Sequence, residues 1–315
     1  MIRKPIIIGI ASYYLTAKEK KLIHDEKPWG IILFRRNIRS FKQLKNLTKN
    51  IRKCLNDKKY PILIDEEGGK VSRLSNLINS REFSQRFFGN LYEKDKRKGE
   101  MIYKYYLNSI CNVLKKVGIN VNTIPVMDLL QNFTNNIIKD RSYSSNISTI
   151  KKLGALCIKN LKNNKIGSVS KHIPGHGCSK IDSHKNLPIV NFSKKKLYSN
   201  DFSAFVNVNS NFVMTAHIIY KKIDPNNVAT QSDIIIRKII RKKLKFKGII
   251  ISDDISMKAL KGDIIKNAKR ALGSGCNLIL HCNGKISESS KLLKNLDKID
   301  NFTKKKTQQF YRFLI

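Results

Sequence analysis

Three of the chain's six histidines lie within one short polar stretch, SVSKHIPGHGCSKIDSHKNLP, which spans residues 168–188. They are His172, His176 and His184; two glycines flank His176, and Asp182 precedes His184 by two positions. Imidazole changes its charge close to neutral pH and also ligates metals. The stretch holds little that could pack in a core. These residues leave three interpretations open: a metal site, a tight polar loop, or an acid/base apparatus on a mobile loop.

Carboxylates follow two apolar runs elsewhere in the chain. In IDEEGGKVSRL, Asp65 could accept hydrogen bonds from sugar hydroxyls and Arg73 could donate to them, while the two glycines allow a sharp turn. In IISDDISMKAL, Asp253 and Asp254 are adjacent at the end of a buried run, where desolvation and repulsion perturb a carboxyl group. Successive side chains of an extended backbone point to opposite sides. The two therefore have different tasks, one facing a pocket and the other capping a helix or holding a neighbour.

The elements that must position these groups are eight short apolar runs, each ending in polar or glycine residues. Apolar strands that alternate with helical stretches are typical of a parallel sheet covered by helices, and eight such strands close a barrel. The sequence predicts one (β/α)8-barrel domain over residues 1–315, with a doubly wound open sheet as the alternative. Barrel active sites lie at the carboxyl ends of the strands, where the polar residues collect. The runs span residues 6–12, 30–34, 61–65, 120–128, 166–172, 211–217, 248–254 and 277–283.

Apolar residues at three- and four-residue spacing predict helices between these strands. The stretch SFKQLKNLTKNIRKCL carries one such stripe, and Ser232 is suited to cap another helix. The stretch SMKALKGDIIKNAKRALGSG predicts a helix that ends in a glycine stop at Gly275. A Lys-rich tail from about residue 286 is also expected to be helical.

The composition bounds the class of protein. Hydrophobic residues make up 41% of the 315 residues, which is typical of a globular chain. No apolar run approaches the ~20 residues of a membrane span, and six scattered cysteines without a CxxC pair favour a reducing cytoplasm. The formal charge of +39 is spread along the whole chain, so we interpret the lysines as solvated helix faces and expect no specific nucleic-acid partner.

Four motifs together resemble a known family. The stretches GIILFRRNI, IDEEGGKVSRL, KHIPGHGCSKIDSH and GIIISDDISMKAL, in order along the chain, are similar to the β-N-acetylhexosaminidases of glycoside hydrolase family 3. The similarity is to the short, single-domain bacterial type that works in cell-wall recycling, and it runs from about Gly30 to Cys282. The segments IPVMDL and DRSY fall in the expected order as well.

The resemblance implies a (β/α)8 barrel and a retaining, two-step mechanism. Asp253 would be the nucleophile that forms a covalent glycosyl-enzyme, and His184, paired with Asp182, would be the general acid/base. His176 would have a structural role. Flanking Gly175 and Gly177 would act as hinges of the loop. The residues implied to grip the N-acetylglucosamine ring are Asp65, Arg73, Arg141, Lys171 and His172.

The same resemblance implies the substrate and the setting. The substrate would be peptidoglycan-derived muropeptides, in which β-linked N-acetylglucosamine is joined to anhydro-N-acetylmuramic acid. We expect an exo-acting cytoplasmic monomer that needs no cofactor or metal and does not bind a membrane.

The chain departs from the family pattern near the proposed sugar contacts. Lys139 and Asp140 stand where a glycine and a glutamate are more usual before the arginine, and Glu66 and Lys70 replace the commoner Gln and Arg. These changes affect the loop that bears Arg141 rather than the proposed catalytic groups.

Two alternative mechanisms stay open. One is a metal-dependent hydrolase on the same barrel, which would use the cluster of His172, His176 and His184. The other is attack by the substrate's own acetamide, assisted by the acidic pair, in which no bond to Asp253 forms.

Overall fold

The computed structural model describes residues 3–134, 136–181 and 186–315. Within them, eight parallel strands close into a barrel in the spatial order β1-β10-β9-β7-β5-β4-β3-β2, and a short parallel pair, β6 and β8, lies outside it. The predicted barrel is confirmed, and the doubly wound alternative is wrong. The strands are β1 Lys4–Gly9, β2 Pro28–Leu33, β3 Ile62–Ile64, β4 Val121–Asn122, β5 Gly167–Ile173, β6 Ile189–Val190, β7 Phe212–Thr215, β8 Ile219–Tyr220, β9 Ile249–Asp254 and β10 Leu278–His281.

Helices connect most of the strands and cover the barrel. Several helices have a side chain that caps their amino terminus. The Thr16 side chain accepts a hydrogen bond from the Glu19 amide in a capping box, and the Ser40 side chain accepts one from the Gln43 amide. The α-helices are α1 Ala17–Glu26, α2 Phe41–Leu55, α3 Gln85–Lys94, α4 Lys96–Lys116, α5 Asn136–Lys139, α6 Ile147–Asn163, α7 Lys194–Ser199, α8 Ile264–Gly273, α9 Ile286–Asn295 and α10 Asn301–Phe313. No helix in the described ranges is both long and apolar enough to cross a membrane.

Two predicted helices differ in detail from the observed ones. The segment Ile234–Lys243 is a π-helix rather than an α-helix, although the Ser232 hydroxyl accepts the Ile235 amide at 3.1 Å. Helix α8 begins at Ile264, well after the predicted start, because Asp263 caps it. Residues 255–263 instead form turns. The predicted glycine stop is present, with Gly275 at a φ of +110° that favours glycine.

The interior of the barrel is filled by apolar side chains from all eight strands. These side chains are buried and form one cluster, so the barrel is a packed core and not a pore. The strand residues are Ile7, Trp29, Ile32, Leu63, Val121, Val169, Phe212, Met214, Ile249, Ile251, Leu278 and Leu280.

Helix α10 covers the amino-terminal mouth of the barrel. Phe310 packs edge-on against Phe212, at a ring-centroid distance of 5.0 Å, and lies 6.3 Å from Trp29. The Trp29 indole N–H donates to the Thr307 hydroxyl at 2.8 Å, so its polar atom is satisfied inside the core. With this end closed, the carboxyl-terminal end of the barrel is left for a site.

We predict that Phe310→Ala lowers the free energy of unfolding by about 3–5 kcal/mol, because Phe310 is only 4% exposed and its removal leaves a cavity. Urea denaturation measures the change. Phe302→Ala is the matched control on the same helix; Phe302 is 43% exposed, and its loss should cost below about 1 kcal/mol. Equal losses in the two variants would contradict the role of α10 as a plug.

Candidate active site

The strand ends bring predicted site residues from opposite sides of the barrel to one mouth. Asp65 directly follows β3, Lys171 and His172 lie near the end of β5, and Asp253 is the penultimate residue of β9. Strand β9 stands opposite β3 in the closed order of eight. Because all the strands are parallel, these side chains share the carboxyl-terminal rim, where barrel enzymes carry out their chemistry.

Asp65 is held ionised by a set of donors around its carboxylate. The Lys171 ammonium and the Arg73 guanidinium both pair with it, the latter at 3.0 Å, and the Thr123 hydroxyl donates at 2.6 Å. Burial alone would raise the pKa of Asp65, but Lys171, Arg73 and Arg141 outweigh it and hold the pKa well below its usual range. Asp65 is therefore an acceptor with fixed geometry, suited to hydroxyl donors.

Glu67 links Arg141 and Lys171 at the same rim. Arg141 makes a bidentate pair with Glu67, with Nε–Oε2 at 2.7 Å and Nη2–Oε1 at 2.8 Å, and Lys171 Nζ lies 2.6 Å from Oε1. Burial would lower the pKa of Arg141, but the Glu67 carboxylate raises it above the ordinary value. Bidentate geometry fixes the guanidinium plane as well as its position.

His172 is oriented by one group on each ring nitrogen. Arg141 Nη2 lies 3.3 Å from Nε2, and an Asp128 carboxylate oxygen lies 2.7 Å from Nδ1. Arginine has only donors, so Nε2 must accept and Nδ1 carries the proton that bonds to Asp128. The structure thus joins Arg141, His172 and Asp128 in a chain whose hydrogen bonds have one direction.

Asp128 also anchors the start of the histidine loop. It is fully buried and accepts the backbone amides of His172, at 3.2 Å, and of His176, at 2.6 Å. Burial would raise the pKa of Asp128, but His172 and His176 lower it overall. Burial, and after it the neighbouring His172, lowers the pKa of His176 to about 4, so this imidazole is neutral at physiological pH.

Asp253 and Asp254 have different surroundings, as their positions on an extended strand predict. Asp254 Oδ1 accepts the amides of Ser256, at 3.0 Å, and of Cys282, at 3.2 Å, so it ties the end of β9 to the following turn and to β10. Asp253 Oδ1 accepts the Asp254 amide at 2.8 Å. Of the two carboxylates, Asp254 is therefore the one that holds the neighbouring backbone in place.

The base of the histidine loop is closely packed rather than open. A Cβ at Gly177 would come within 1.8 Å of the Leu129 carbonyl oxygen, and one at Gly175, where φ is +145°, within 2.7 Å of Asp201. Glycine is therefore required at both positions because a side chain would collide with the neighbouring atoms. This requirement differs from the hinge role that was predicted for the two glycines. The proposed acid/base pair of Asp182 and His184 lies outside the described residues.

Two of the departures from the family pattern pair with each other. Lys70 Nζ lies 2.6 Å from Asp140 Oδ2, which joins the loop after β3 to the loop that bears Arg141. Both side chains are substantially exposed, so the pair guides loop position more than it stabilises the fold. Glu66, a third departure, accepts the amides of Arg73 and Leu74 at 2.6 and 2.8 Å and so fixes where Arg73 stands.

All five predicted sugar contacts enter one connected network: Asp65, Arg73, Arg141, Lys171 and His172. The predicted sugar contacts do not include Glu67, Asp128 and Thr123, although Asp128 ends one of the predicted apolar runs and Glu67 follows another by two residues. His217, two residues beyond the end of β7, is fully buried as well. His217 Nε2 donates to the Asp254 carbonyl at 3.0 Å and so contacts the backbone at the end of β9.

The metal alternative gains no support from the described residues. No group of three or more His, Cys, Asp or Glu side chains in residues 3–134, 136–181 and 186–315 could hold a metal ion. Here the rings of His172 and His176 are 5.7 Å apart, and His172 already uses both nitrogens. His184, the third member of that proposed cluster, lies outside these ranges.

Relatives and solved structures point to one class of enzyme. The β-hexosaminidase of Psychromonas ingrahamii is 31% identical over 98% of this chain and 89% of its own length. That of Neisseria meningitidis serogroup A is 33% identical over 89% and 78%, respectively. The structure of NagZ from Neisseria gonorrhoeae in complex with N-trifluoroacetyl-D-glucosamine superposes with a TM-score of 0.88 at 30% identity, covering 99% of this chain and 90% of that one.

The barrel and its polar rim define a glycoside hydrolase of the β-N-acetylhexosaminidase class. Residues 8–312 match the N-terminal domain of glycosyl hydrolase family 3, and the chain belongs to that family.

We predict that His176→Gln flattens the rise in stability between about pH 4 and 6.5. The folded pKa of about 4 lies below the ordinary 6.5, so the unfolded chain binds more protons in this window and the native state gains stability as pH rises. The contribution is at most about 1.4 kcal/mol per pH unit. Urea unfolding at pH 4.5, 5.5 and 6.5 measures the slope.

His24→Gln is the control for this measurement. The His24 side chain is 71% exposed and pairs with the exposed Asp25, so removing it should change the slope far less than removing the buried His176. A slope in the His176 variant that matches wild type would show that His176 titrates normally in the folded state.

Proposed function

We propose that the enzyme is a retaining, exo-acting β-N-acetylglucosaminidase. It removes terminal β-linked N-acetylglucosamine from peptidoglycan-derived muropeptides in the cytoplasm. Asp253 attacks the anomeric carbon and forms a covalent glycosyl-enzyme, which water then hydrolyses. His184, paired with Asp182, donates a proton to the leaving oxygen and later accepts one from water.

One observation carries the proposal. Asp65, Arg73, Lys171, Arg141 and His172 form a single charged network at the rim that Asp253 also reaches from the other side of the barrel. A sugar ring presents several hydroxyl groups, and orienting them takes fixed donors and acceptors around an ionised carboxylate.

The family resemblance implies Asp253 as the nucleophile, and the contacts of the two carboxylates support this choice over Asp254. Asp254 accepts two backbone amides and the Ser256 hydroxyl, so moving it would break the turn after β9. Asp253 lies beside it on the opposite side of the strand. In the proposed covalent step, an Asp253 carboxylate oxygen bonds to the anomeric carbon while the bond to the leaving oxygen breaks.

An imidazole suits the proton transfers of both steps. With an ordinary pKa of about 6.5, it is protonated often enough to serve as the acid and neutral often enough to serve as the base. A carboxylate two residues away would stabilise the imidazolium and select the tautomer. The chemistry of the two residue types and the family resemblance support this part of the proposal.

The identity of the sugar rests on the relatives and on the network. The NagZ structure holds an N-acylated glucosamine analogue, and this chain presents the same class of barrel. The muropeptide aglycone, with its anhydro-N-acetylmuramic acid, follows from the resemblance to the cell-wall recycling type.

We predict rapid hydrolysis of an aryl N-acetyl-β-glucosaminide, with the plain aryl β-glucoside hydrolysed at least about 100-fold more slowly because it lacks the acetamide. Product release is followed by absorbance, with and without a chelator.

Asp253→Asn should abolish turnover, and a slow fluorosugar substrate should leave an adduct on the Asp253 peptide, seen by mass spectrometry. Tight binding of a thiazoline-type inhibitor with no adduct would favour attack by the substrate's acetamide; loss of activity with chelator, restored by zinc, would favour the metal alternative.

We predict that His184→Ala slows substrates with poor leaving groups by about 100-fold or more but affects activated aryl glycosides much less in the first step. The activated leaving group departs with little proton donation. Comparing kcat/KM for an aryl glycoside and for a disaccharide measures the difference, and Asp253→Asn, which should abolish both, is the comparison variant. Equal losses on the two substrates would rule out His184 as the acid.

A further inference from the structure

We propose that a groove at the amino-terminal end of the barrel binds a linear polyanion with repeated phosphate groups. The groove, called here the basic groove, lies between the carboxyl ends of α2 and α4 and has a volume of about 460 Å³. Seven of its lining residues are cationic: Lys45, Lys49, Arg52, Lys53, Lys58, Lys115 and Lys116. The catalytic proposal does not use this groove.

The positive charges of the basic groove are not neutralised locally. Among the residues that the structure describes, none of its six lysines pairs with a carboxylate, and all six are exposed. Asp57 is the acidic member of the lining, and its carboxylate is already engaged by Arg3 at 2.7 Å and by the Tyr311 hydroxyl at 2.6 Å. The groove therefore keeps a large positive charge.

Helix dipoles do not account for this many cations. A helix carboxyl terminus carries about half a negative charge, so the two that border the groove supply about one in total. Arg52 donates from Nη2 to the Tyr60 carbonyl at 3.3 Å, and this hydrogen bond holds its guanidinium at the wall of the groove.

The shape and lining of the groove select the ligand. A concave groove accommodates a chain better than a planar lipid surface, and Lys45, Lys49 and Lys53 form a row along α2 at four-residue spacing. The lining contains no aromatic side chain on which a base could stack. Recognition would therefore be of the phosphate backbone alone, independent of sequence and sensitive to salt.

The position of the basic groove separates it from catalysis. Helices α2 and α4 end just before the amino ends of β3 and β4, whereas Asp65 and Asp253 lie at the carboxyl ends of their strands. A polyanion in the groove would leave the catalytic mouth open. The enzyme could thus be retained on a phosphate polymer while it acts on small fragments.

Binding of a fluorescent single-stranded DNA 20-mer of mixed sequence, measured by anisotropy over a series of salt concentrations, tests the proposal. The groove variant is Lys45→Gln with Lys49→Gln and Lys53→Gln. The matched control is Lys238→Gln with Lys242→Gln and Lys243→Gln, three exposed lysines in the π-helix between β7 and β9, across the barrel from α2. Both variants lose the same net charge.

We predict that the groove variant weakens binding at least 10-fold at 0.1 M salt and reduces the slope of log K against log salt by about 2, since each lost phosphate contact removes about 0.7. The control should weaken binding less than about 3-fold. Equal weakening in both variants would overturn the proposal, because it would mean that total charge, and no site, attracts the DNA.

Two further arms identify the ligand chemistry. Inorganic polyphosphate that competes with the DNA at matched charge supports a bare phosphate chain, while failure to compete supports a nucleic-acid backbone. Binding to anionic phosphatidylglycerol vesicles with none to either polymer would overturn the proposal. Hydrolysis of the aryl N-acetyl-β-glucosaminide should be the same in wild type and in both variants, which shows that they are folded and keeps this test independent of the catalytic proposal.

Discussion

The organisation of the site depends on charge compensation around Lys171. Its ammonium, on a side chain that is almost fully buried, touches the carboxylates of Asp65 and Glu67, and Glu67 in turn holds Arg141. Burying an unpaired charge costs several kcal/mol of folding free energy. Removing one partner of a buried ion pair leaves the other charge unpaired, so this cost is no longer offset. The four groups are therefore stable only together, and their mutual dependence fixes each donor and acceptor at the rim.

The barrel makes this network possible because neighbouring strands end at the same level. Asp65 follows β3, Thr123 follows β4, and Lys171 lies in β5, so three adjacent strands supply the carboxylate, hydroxyl and ammonium that meet. At the other end of the barrel, α10 covers the apolar interior. One mouth of the barrel is therefore closed by apolar packing that stabilises the fold, and the other carries the polar groups.

Local pattern was enough to predict the strands and the rim at which they end, whereas the family resemblance implied the sugar contacts. Each of the eight predicted runs overlaps an observed barrel strand, because a strand buried on both faces needs a continuous apolar run. Helix α8 was placed too early because Met257 and Leu260 continue its apolar spacing, while the Asp254 carboxylate holds that segment in a turn. Glu67 and Asp128 were missed as site residues because their partners, Arg141 and His172, are far away in sequence.

The sequence by itself determined the class of fold, the rim on which the polar groups collect and the residue types available there, since apolar periodicity and strand-end polarity are local properties. Only the tertiary structure decided which charges neutralise which. It paired Lys70 with Asp140, assigned Asp254 to hold the end of β9, and gathered the cations of the basic groove from two helices and the loop after α2. These outcomes depend on distances between side chains that the chain brings together only when the barrel closes, and electrostatic energy depends on those distances.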